Sequence, residues 1–302
     1  MNSEQTREIL RKVRHIEIRT KRLVNDSLAG EYHSVFKGRG MDFDEVREYM
    51  PGDEVRTIDW NVTARAGRPF IKKFVEEREL TLMLVVDVSA SGDFGSGTQS
   101  KREMAAELAS VLAFSAIHNN DKVGLILFSD QVELYVPARK GRKHVLRLVR
   151  EILGFDPAHR GTNLVNALDF ANHVLSRRAI VFLLSDFQST GDPSAAIDAL
   201  RRAIRQTHAR HDLVAMRVHD PREDELADFG LLAVEDSETG ELLELDTGDE
   251  NVRRRFGELA EENAMRLRRA FNGEAVDSLS LSTTEPYLPT LLSFFKRRER
   301  RH

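Results

Sequence analysis

One carboxylate and two hydroxyls fall on alternate residues of the tract Leu84-Val-Val-Asp87-Val-Ser89-Ala-Ser91-Gly92, where an apolar run gives way to a loop. Alternation along extended backbone sends all three side chains the same way. Two later tracts carry the same chemistry: Arg160-Gly161-Thr162-Asn163-Leu164, ahead of a helical pattern, and Leu184-Ser185-Asp186-Phe187, at the end of another apolar run. The five oxygen-bearing side chains, Asp87, Ser89, Ser91, Thr162 and Asp186, suit a hard divalent cation that takes an octahedral shell of oxygens and waters. Mg²⁺ is the first candidate and Mn²⁺ the substitute. With hydroxyls as direct ligands and carboxylates acting through water, the ion stays under-neutralised and prefers an anionic sixth ligand. An acidic side chain on a protein partner would serve. Taken singly, each residue also has a structural role: the serines cap the loop, Thr162 caps a helix, and the aspartates satisfy backbone donors. Those separate roles do not explain why all five gather at one sheet edge.

The elements that must position these residues follow from periodicity. Residues 81–88 form a nearly continuous apolar run, and 101–118 carry Met104, Ala105, Leu108, Val111, Leu112 and Ser115 at helical spacing. Strand patterns at 122–128, 132–136, 179–184 and 212–218 are interleaved with helical patterns at 142–153, from about Leu164, and at 193–207 with Pro193 in its first turn. Strands without outward polar positions, separated by helices, require a mostly parallel sheet covered on both faces. The expected fold is doubly wound α/β, in which ligands bind beyond the carboxyl ends of the strands near a topological switch point. Residues 231–234 and 242–245 flank Glu238-Thr-Gly240-Glu241 and predict a hairpin. Long helical patterns follow at 251–271 and 288–295.

Ahead of the sheet, residues 3–25 predict an amphipathic helix with Ile9, Val13, Ile16 and Leu23 on a stripe interrupted by Thr20. Residues 32–79 are rich in Gly, Asp, Arg and aromatics, with turn signals at Gly38-Arg-Gly40 and Pro51-Gly-Asp53, and read as an irregular extension. The expected division is 1–80 and 81–302, and the absence of a flexible linker at residue 80 predicts a shared interface.

Composition removes many functions. The 302 residues can bury a sizeable core, about three quarters of the surface that the unfolded chain exposes. With no Cys, disulfides, thiolate metal sites and cysteine nucleophiles are excluded. Forty-five Lys and Arg against 49 Asp and Glu leave a net charge of −4, so no global basic field draws nucleic acid. No apolar run approaches the roughly twenty residues of a membrane span. The N-terminus lacks the apolar stretch of a secretory signal, which makes the cytoplasm the expected compartment.

The D-x-S-x-S tract at Asp87, Ser89 and Ser91, Thr162 in a Gly-Thr-Asn loop, and Asp186 in Ser-Asp-Phe resemble the von Willebrand factor A fold with its metal-ion-dependent adhesion site. The preceding segment narrows this. It holds Gly38-Arg-Gly40, Asp42-Phe43, Arg47-Glu-Tyr49-Met-Pro51-Gly52-Asp53, Arg56-Thr-Ile58-Asp59-Trp60, Ala64-Arg65, and residues 72–78 ending in Glu-Glu-Arg. That succession resembles the bacterial family known as domain of unknown function 58, over roughly residues 30–220. Many relatives carry membrane helices before it, whereas this chain begins with a charged helix. The resemblance implies a partnership with MoxR-type AAA+ ATPases, as an adaptor in chaperone-like assembly of other complexes.

A divalent-metal-dependent phosphatase or hydrolase is the alternative, since an Asp at the end of the first strand of such a sheet also serves phosphoryl transfer. That chemistry needs a second acid at the position of Ser89, and no G-x-x-x-x-G-K-[ST] loop is present. A non-catalytic interaction module is therefore expected. Trp60, the single Trp, reads as a buried anchor. Asp53, Arg56, Asp59 and Arg65 read as an ion-pair and turn network, and His208 with His211 as solvated surface. The basic run Lys296-Arg-Arg-Glu-Arg-Arg-His302 and Arg201, Arg202 and Arg205 read as solvated charge rather than a nucleic-acid site.

Overall fold

The computed structural model describes residues 3–24, 28–36, 42–75, 79–188, 193–235, 240 and 242–301. Of the sequence motifs, Gly38-Arg-Gly40, Glu76-Glu-Arg78, Glu238-Thr239, Glu241 and His302 lie outside the described residues. The chain forms two compact units, Met1–Val35 with Thr81–His302, and Phe36–Leu80.

In chain order the first elements are α1 (Ser3–Leu23), α2 (Ala29–Val35), and then β1 (Asp42–Glu48), α3 (Trp60–Ala66) and β2 (Phe70–Val75) of the smaller unit. The sheet begins with β3 (Thr81–Asp87), α4 (Lys101–His118), β4 (Lys122–Phe128), β5 (Val132–Arg139), α5 (Arg142–Gly154) and α6 (Leu164–Val174). It continues through β6 (Ile180–Ser185), α7 (Pro193–Arg210), β7 (Asp212–His219) and the short α8 (Pro221–Asp224). The last elements are β8 (Leu231–Glu235), β9 (Leu242–Asp246), α9 (Glu250–Gly273), β10 (Asp277–Ser282) and α10 (Tyr287–Glu299).

Six strands make the central sheet in the order β10-β7-β6-β3-β4-β5. All neighbours are parallel except β5, which returns antiparallel to β4. This is the doubly wound α/β sheet that the apolar runs predict. On one face, Met83, Val85 and Ile126 pack with Leu168 of α6 and Ile204 of α7. Helix α4 lies against β3 and β4 and also carries α1 and α5. It is consequently buried around nearly its whole circumference, as a helix with neighbours on every side must be. A capping box between Ser100 and Glu103 starts it.

Residues 1–35 belong with this sheet unit, not with the extension as a division at residue 80 would place them. The cause is packing: α1 lies on α4 and α5, and Thr20, 2% exposed, continues the stripe of Val13 and Ile16 instead of interrupting it. Lys12–Glu103 at 2.6 Å and Arg19–Glu107 at 3.0 Å rim that contact. The expected strands do not include β10: its short Ser-Leu alternation is the pattern of a half-buried strand, not the continuous apolar run of a central one, and it buries Leu279 and Leu281 at the sheet edge. The β8–β9 hairpin forms with Leu231 opposite Asp246.

Two further expectations are corrected. The run 296–301 is no free tail: it ends α10, where Arg298 is buried against Asp212 and Asp277 and Arg301 meets Asp277 at 3.0 Å. Arg201 and Arg205 pair with Glu274 at the surface, their side chains 43% and 67% exposed, in keeping with solvated charge. His211 is buried, its Nδ1 accepting from the Ala179 N–H at 3.3 Å, and burial together with Arg210 and Arg178 lowers its pKa.

The smaller unit is more regular than its composition suggests. Strands β1 and β2 pair antiparallel, with Arg47 opposite Ile71. Asp53 grips Arg47 through two bonds of 2.7 and 3.0 Å and accepts from the Met50 N–H at 2.8 Å, closing the turn in which Gly52 takes a φ of 111°. Asp59 caps α3 through the N–H groups of Asn61 and Val62. Trp60, expected to be buried, is 67% exposed: as the first residue of a seven-residue helix with no buried member, it has no core to enter.

The loop after β3 is tied down far from where it starts. Asp220 accepts from Ser96 through both its N–H (2.8 Å) and its hydroxyl (2.6 Å), and from the Thr283 hydroxyl at 2.6 Å. Burial pushes the Asp220 pKa up, but these donors outweigh it and hold the carboxyl at about 2, below the ordinary 3.8. A carboxyl depressed in this way contributes stability above about pH 4 that is lost as the pH falls toward 2. In urea melts across that range, Asp220→Asn is expected to lower stability at neutral pH and to flatten its acid dependence. Parallel wild-type and variant curves would contradict this.

Candidate metal centre

Strands β3 and β6 lie side by side with Val86 opposite Leu184. The next residue of each, Asp87 and Ser185, therefore meets its neighbour at the carboxyl edge of the sheet. The Ser185 hydroxyl donates to Asp87 Oδ2 at 2.6 Å, and the Ser89 N–H donates to Oδ1 at 2.9 Å. This edge is the switch point, because the chain leaves β3 toward β4 on one side and later returns to β6 on the other.

Beyond Asp87 the backbone turns through a short 3-10 segment, Ala90–Asp93. Arg102 of α4 holds this turn, donating to the carbonyls of Val88 at 3.0 Å and Phe155 at 2.9 Å. The Ala90 N–H donates to the Arg160 carbonyl at 3.1 Å, which ties the serine loop to the loop bearing Thr162. The hydroxyls of Ser89 and Ser91 lie 3.1 Å apart, and the Ser91 hydroxyl donates to Asp186 Oδ2 at 2.8 Å. Asp186 is steadied from behind by the Gln188 N–H, 3.0 Å from Oδ1. The following residue, Phe187, takes a φ of 59°. That conformation is costly for a bulky side chain, and the edge-to-face contact of its ring with Phe271 at 5.2 Å helps to hold it.

Asp87, Ser89, Ser91 and Asp186 thus form one buried, hydrogen-bonded chain. They border a cavity of about 20 Å³, room for one small ion or water. Thr162 is also buried, but it lies with Asp186 on the wall of a larger cavity of about 860 Å³ that extends between α6, α7 and α9. Asp186 therefore belongs to both spaces.

Three participants carry no signal in local periodicity. Ser185 would follow only from knowing that β3 and β6 are neighbours. Lys101, first residue of α4 and 3% exposed, donates to Asp186 Oδ2 at 2.6 Å and to Glu223 Oε1 of α8 at 2.5 Å. Burial lowers the Lys101 pKa, but the charges of Asp186 and Glu223 outweigh it and the net shift is upward. Burial and then the neighbouring Asp186 charge push Asp87 up to about 7, against the bonds from Ser185 and Ser89.

The donor chemistry fits a small hard cation. Every candidate ligand is an oxygen, and the Asp87–Asp186 confrontation is the kind of buried like-charge pair that a divalent ion relieves. Among the described residues no three His, Asp or Glu side chains converge to hold a metal, so the hydroxyls would have to join the shell. If bound, the ion would be held by Asp87, Ser89, Ser91 and Asp186, with Thr162 from the adjoining loop, and would supply a Lewis-acidic positive charge.

A doubly wound α/β domain with an oxygen-donor cluster at its switch point defines the class of protein. The chain belongs to the family described as Protein of unknown function DUF58, whose model matches residues 45–266. It is 32% identical over 290 residues to uncharacterized protein Rv1480 of Mycobacterium tuberculosis, covering 95% of this chain and 89% of that protein. It is 28% identical over 107 residues to uncharacterized protein YeaD of Bacillus subtilis, covering 35% of this chain and 25% of that one. Among solved structures it is similar to the conserved hypothetical protein BatB from Bacteroides thetaiotaomicron, with 13% identity, a TM-score of 0.43, and coverage of 73% of this chain and 99% of that one. An aerotolerance-related membrane protein from Bacteroides fragilis is similar at 13% identity and a TM-score of 0.45, over 74% of this chain and 100% of that one. Among the described residues no helix is long and apolar enough to cross a membrane.

Removing the Ser185 hydroxyl leaves a buried Asp87 oxygen without its donor, and Ser185→Ala is expected to cost about 1–3 kcal/mol. Chemical denaturation measures this directly, and a wild-type midpoint in the variant would refute the assignment.

Proposed function

We propose that this chain is a metal-dependent protein-interaction module without catalytic activity of its own. Mg²⁺, or Mn²⁺ in its place, is held by Ser89, Ser91 and Thr162, with Asp87 and Asp186 positioning it, and an acidic side chain of a protein partner completes the shell. The observation that carries this reading is the hydrogen-bonded chain of Asp87, Ser89, Ser91 and Asp186 at the edge where β3 and β6 meet. Its contact with the larger cavity supports a role in binding, since Asp186 and Thr162 share the lining of that space with Ile197, Phe256 and Leu259. A partner segment presenting a carboxylate together with apolar side chains matches that lining. A hydroxyl at Ser89, where phosphoryl transfer would want a second acid, favours binding over turnover.

In this reading the module is an adaptor for a MoxR-type AAA+ ATPase in the assembly of other complexes, acting in the cytoplasm where the ATPase finds its nucleotide. The family resemblance supports the partner, and the site supports the manner of capture. Asp87→Ala is expected to abolish Mg²⁺ binding in calorimetry and to release the partner, while leaving the circular dichroism spectrum unchanged. A pull-down from the source cell with and without chelator tests the adaptor role: the ATPase should be retained only with metal. Unaltered Mg²⁺ affinity in Asp87→Ala, metal-independent capture, or Mg²⁺-dependent release of phosphate from a generic ester would each overturn the proposal.

A further inference from the structure

We infer that Lys101 is the resident cation of the centre and sets how tightly a divalent ion is held there. The inference rests on the metal-binding reading and adds a residue that reading does not require. Lys101 Nζ donates to Asp186 Oδ2, the same oxygen that accepts from Ser91. An ion drawing on that oxygen meets an ammonium already bound to it.

The lysine is built into this position. It opens α4 directly after the Ser100–Glu103 capping box, so its backbone is fixed by the helix start. Its side chain is 3% exposed, leaving it no route to solvent. Glu223 holds it from the other side, on an α8 started by its own capping box at Asp220. Arg102, the other buried cation nearby, donates to the carbonyls of Val88, Ser89 and Phe155 and pairs with Asp93 at 3.1 Å, with no bond to Asp186. Lys101 is thus the side-chain cation in direct hydrogen-bond contact with Asp186 among the described residues.

The charges give opposite signs to two substitutions. Asp87 and Asp186 at the cavity and Glu223 behind it set three carboxylates against the Lys101 ammonium, while the charge of Arg102, which also lines the cavity, is met by Asp93 at 3.1 Å. Removing the ammonium deepens the negative field and leaves Asp186 Oδ2 with the Ser91 hydroxyl as its remaining donor, so Lys101→Gln binds metal more tightly. Removing the Glu223 charge makes the field less negative and leaves Lys101 to Asp186 alone, so Glu223→Gln binds metal more weakly. Unit charges a few ångströms apart in a partly buried site interact strongly enough for changes of roughly tenfold or more. A purely structural role for Lys101 and Glu223 would weaken metal binding in both variants.

The experiment is titration of the full chain with Mn²⁺, followed by electron paramagnetic resonance of the free ion and repeated with Mg²⁺ by calorimetry. For Lys101→Gln the dissociation constant should fall at least tenfold, and for Glu223→Gln it should rise. Urea melts with and without Mg²⁺ give an independent readout, with a larger metal-induced gain in Lys101→Gln than in wild type. Metal bound by the wild type but no tighter by Lys101→Gln would overturn the role of Lys101 and leave the metal centre standing. No divalent binding by either would overturn both. Should Lys101→Gln not fold, Glu223→Gln decides: weaker binding supports the inference, and equal or tighter binding refutes it.

Discussion

Two carboxylates buried at the ends of adjacent parallel strands are the constraint around which this molecule is arranged. Taking such groups from water costs several kcal/mol for each charge unless nearby donors or cations offset it. The side chain of Ser185, the N–H of Ser89, the hydroxyl of Ser91 and the ammonium of Lys101 all turn toward Asp87 or Asp186. Burial and the neighbouring Asp186 charge still push Asp87 upward against these bonds. A site that is under-compensated and lined with hard oxygens is one that a cation can stabilise.

The rest of the fold supplies rigidity to that edge. Parallel register brings Asp87 beside Ser185, and an apolar sheet covered by α4 on one face and α6 and α7 on the other keeps the register from slipping. The loops beyond the strands are held by charged or polar side chains acting on backbone: Arg102 on the turn after β3, Asp220 on the loop at Ser96. Such bonds are modest singly, about 1 kcal/mol or somewhat more where one group is charged. Together they place donors from well-separated stretches of chain within one hydrogen-bonded cluster. The positive φ at Phe187 fits this pattern, a local cost accepted where the backbone must turn directly after a site carboxylate.

The smaller unit follows different physics. Its helix α3 buries no residue; Phe36 and Ile71 are the buried apolar side chains of the unit among the described residues, and caps with the Arg47–Asp53 pair fix its turns. The family signature in this stretch is largely a record of turn chemistry: Pro51-Gly-Asp53 closes a turn, and Asp59 starts a helix. Trp60 at the head of that helix, with Met50 and Val55, remains exposed apolar surface.

The order of strands and helices, and the residue types able to hold a hard cation, were legible in the chain alone. A parallel strand covered on both faces has to be apolar throughout, so β3, β4 and β6 announce themselves. The D-x-S-x-S tract names oxygens that meet in the cluster, but strand alternation does not place them all: Ser91 lies in the 3-10 turn Ala90–Asp93, and it is that turn which brings its hydroxyl to Ser89 and Asp186. Strand β10 falls outside the strands marked by continuous apolar runs: its alternation of Ser and Leu is the weaker, two-residue pattern of a short strand with one buried face at a sheet edge. Lys101, Ser185 and Glu223 were not legible, nor was the burial of Arg298 and His211. Each depends on which distant segment lies alongside, a matter of strand order and helix packing that local periodicity does not encode. Tertiary structure alone decided that a lysine at a helix start would face an aspartate 85 residues away, and that the single Trp would stand in solvent.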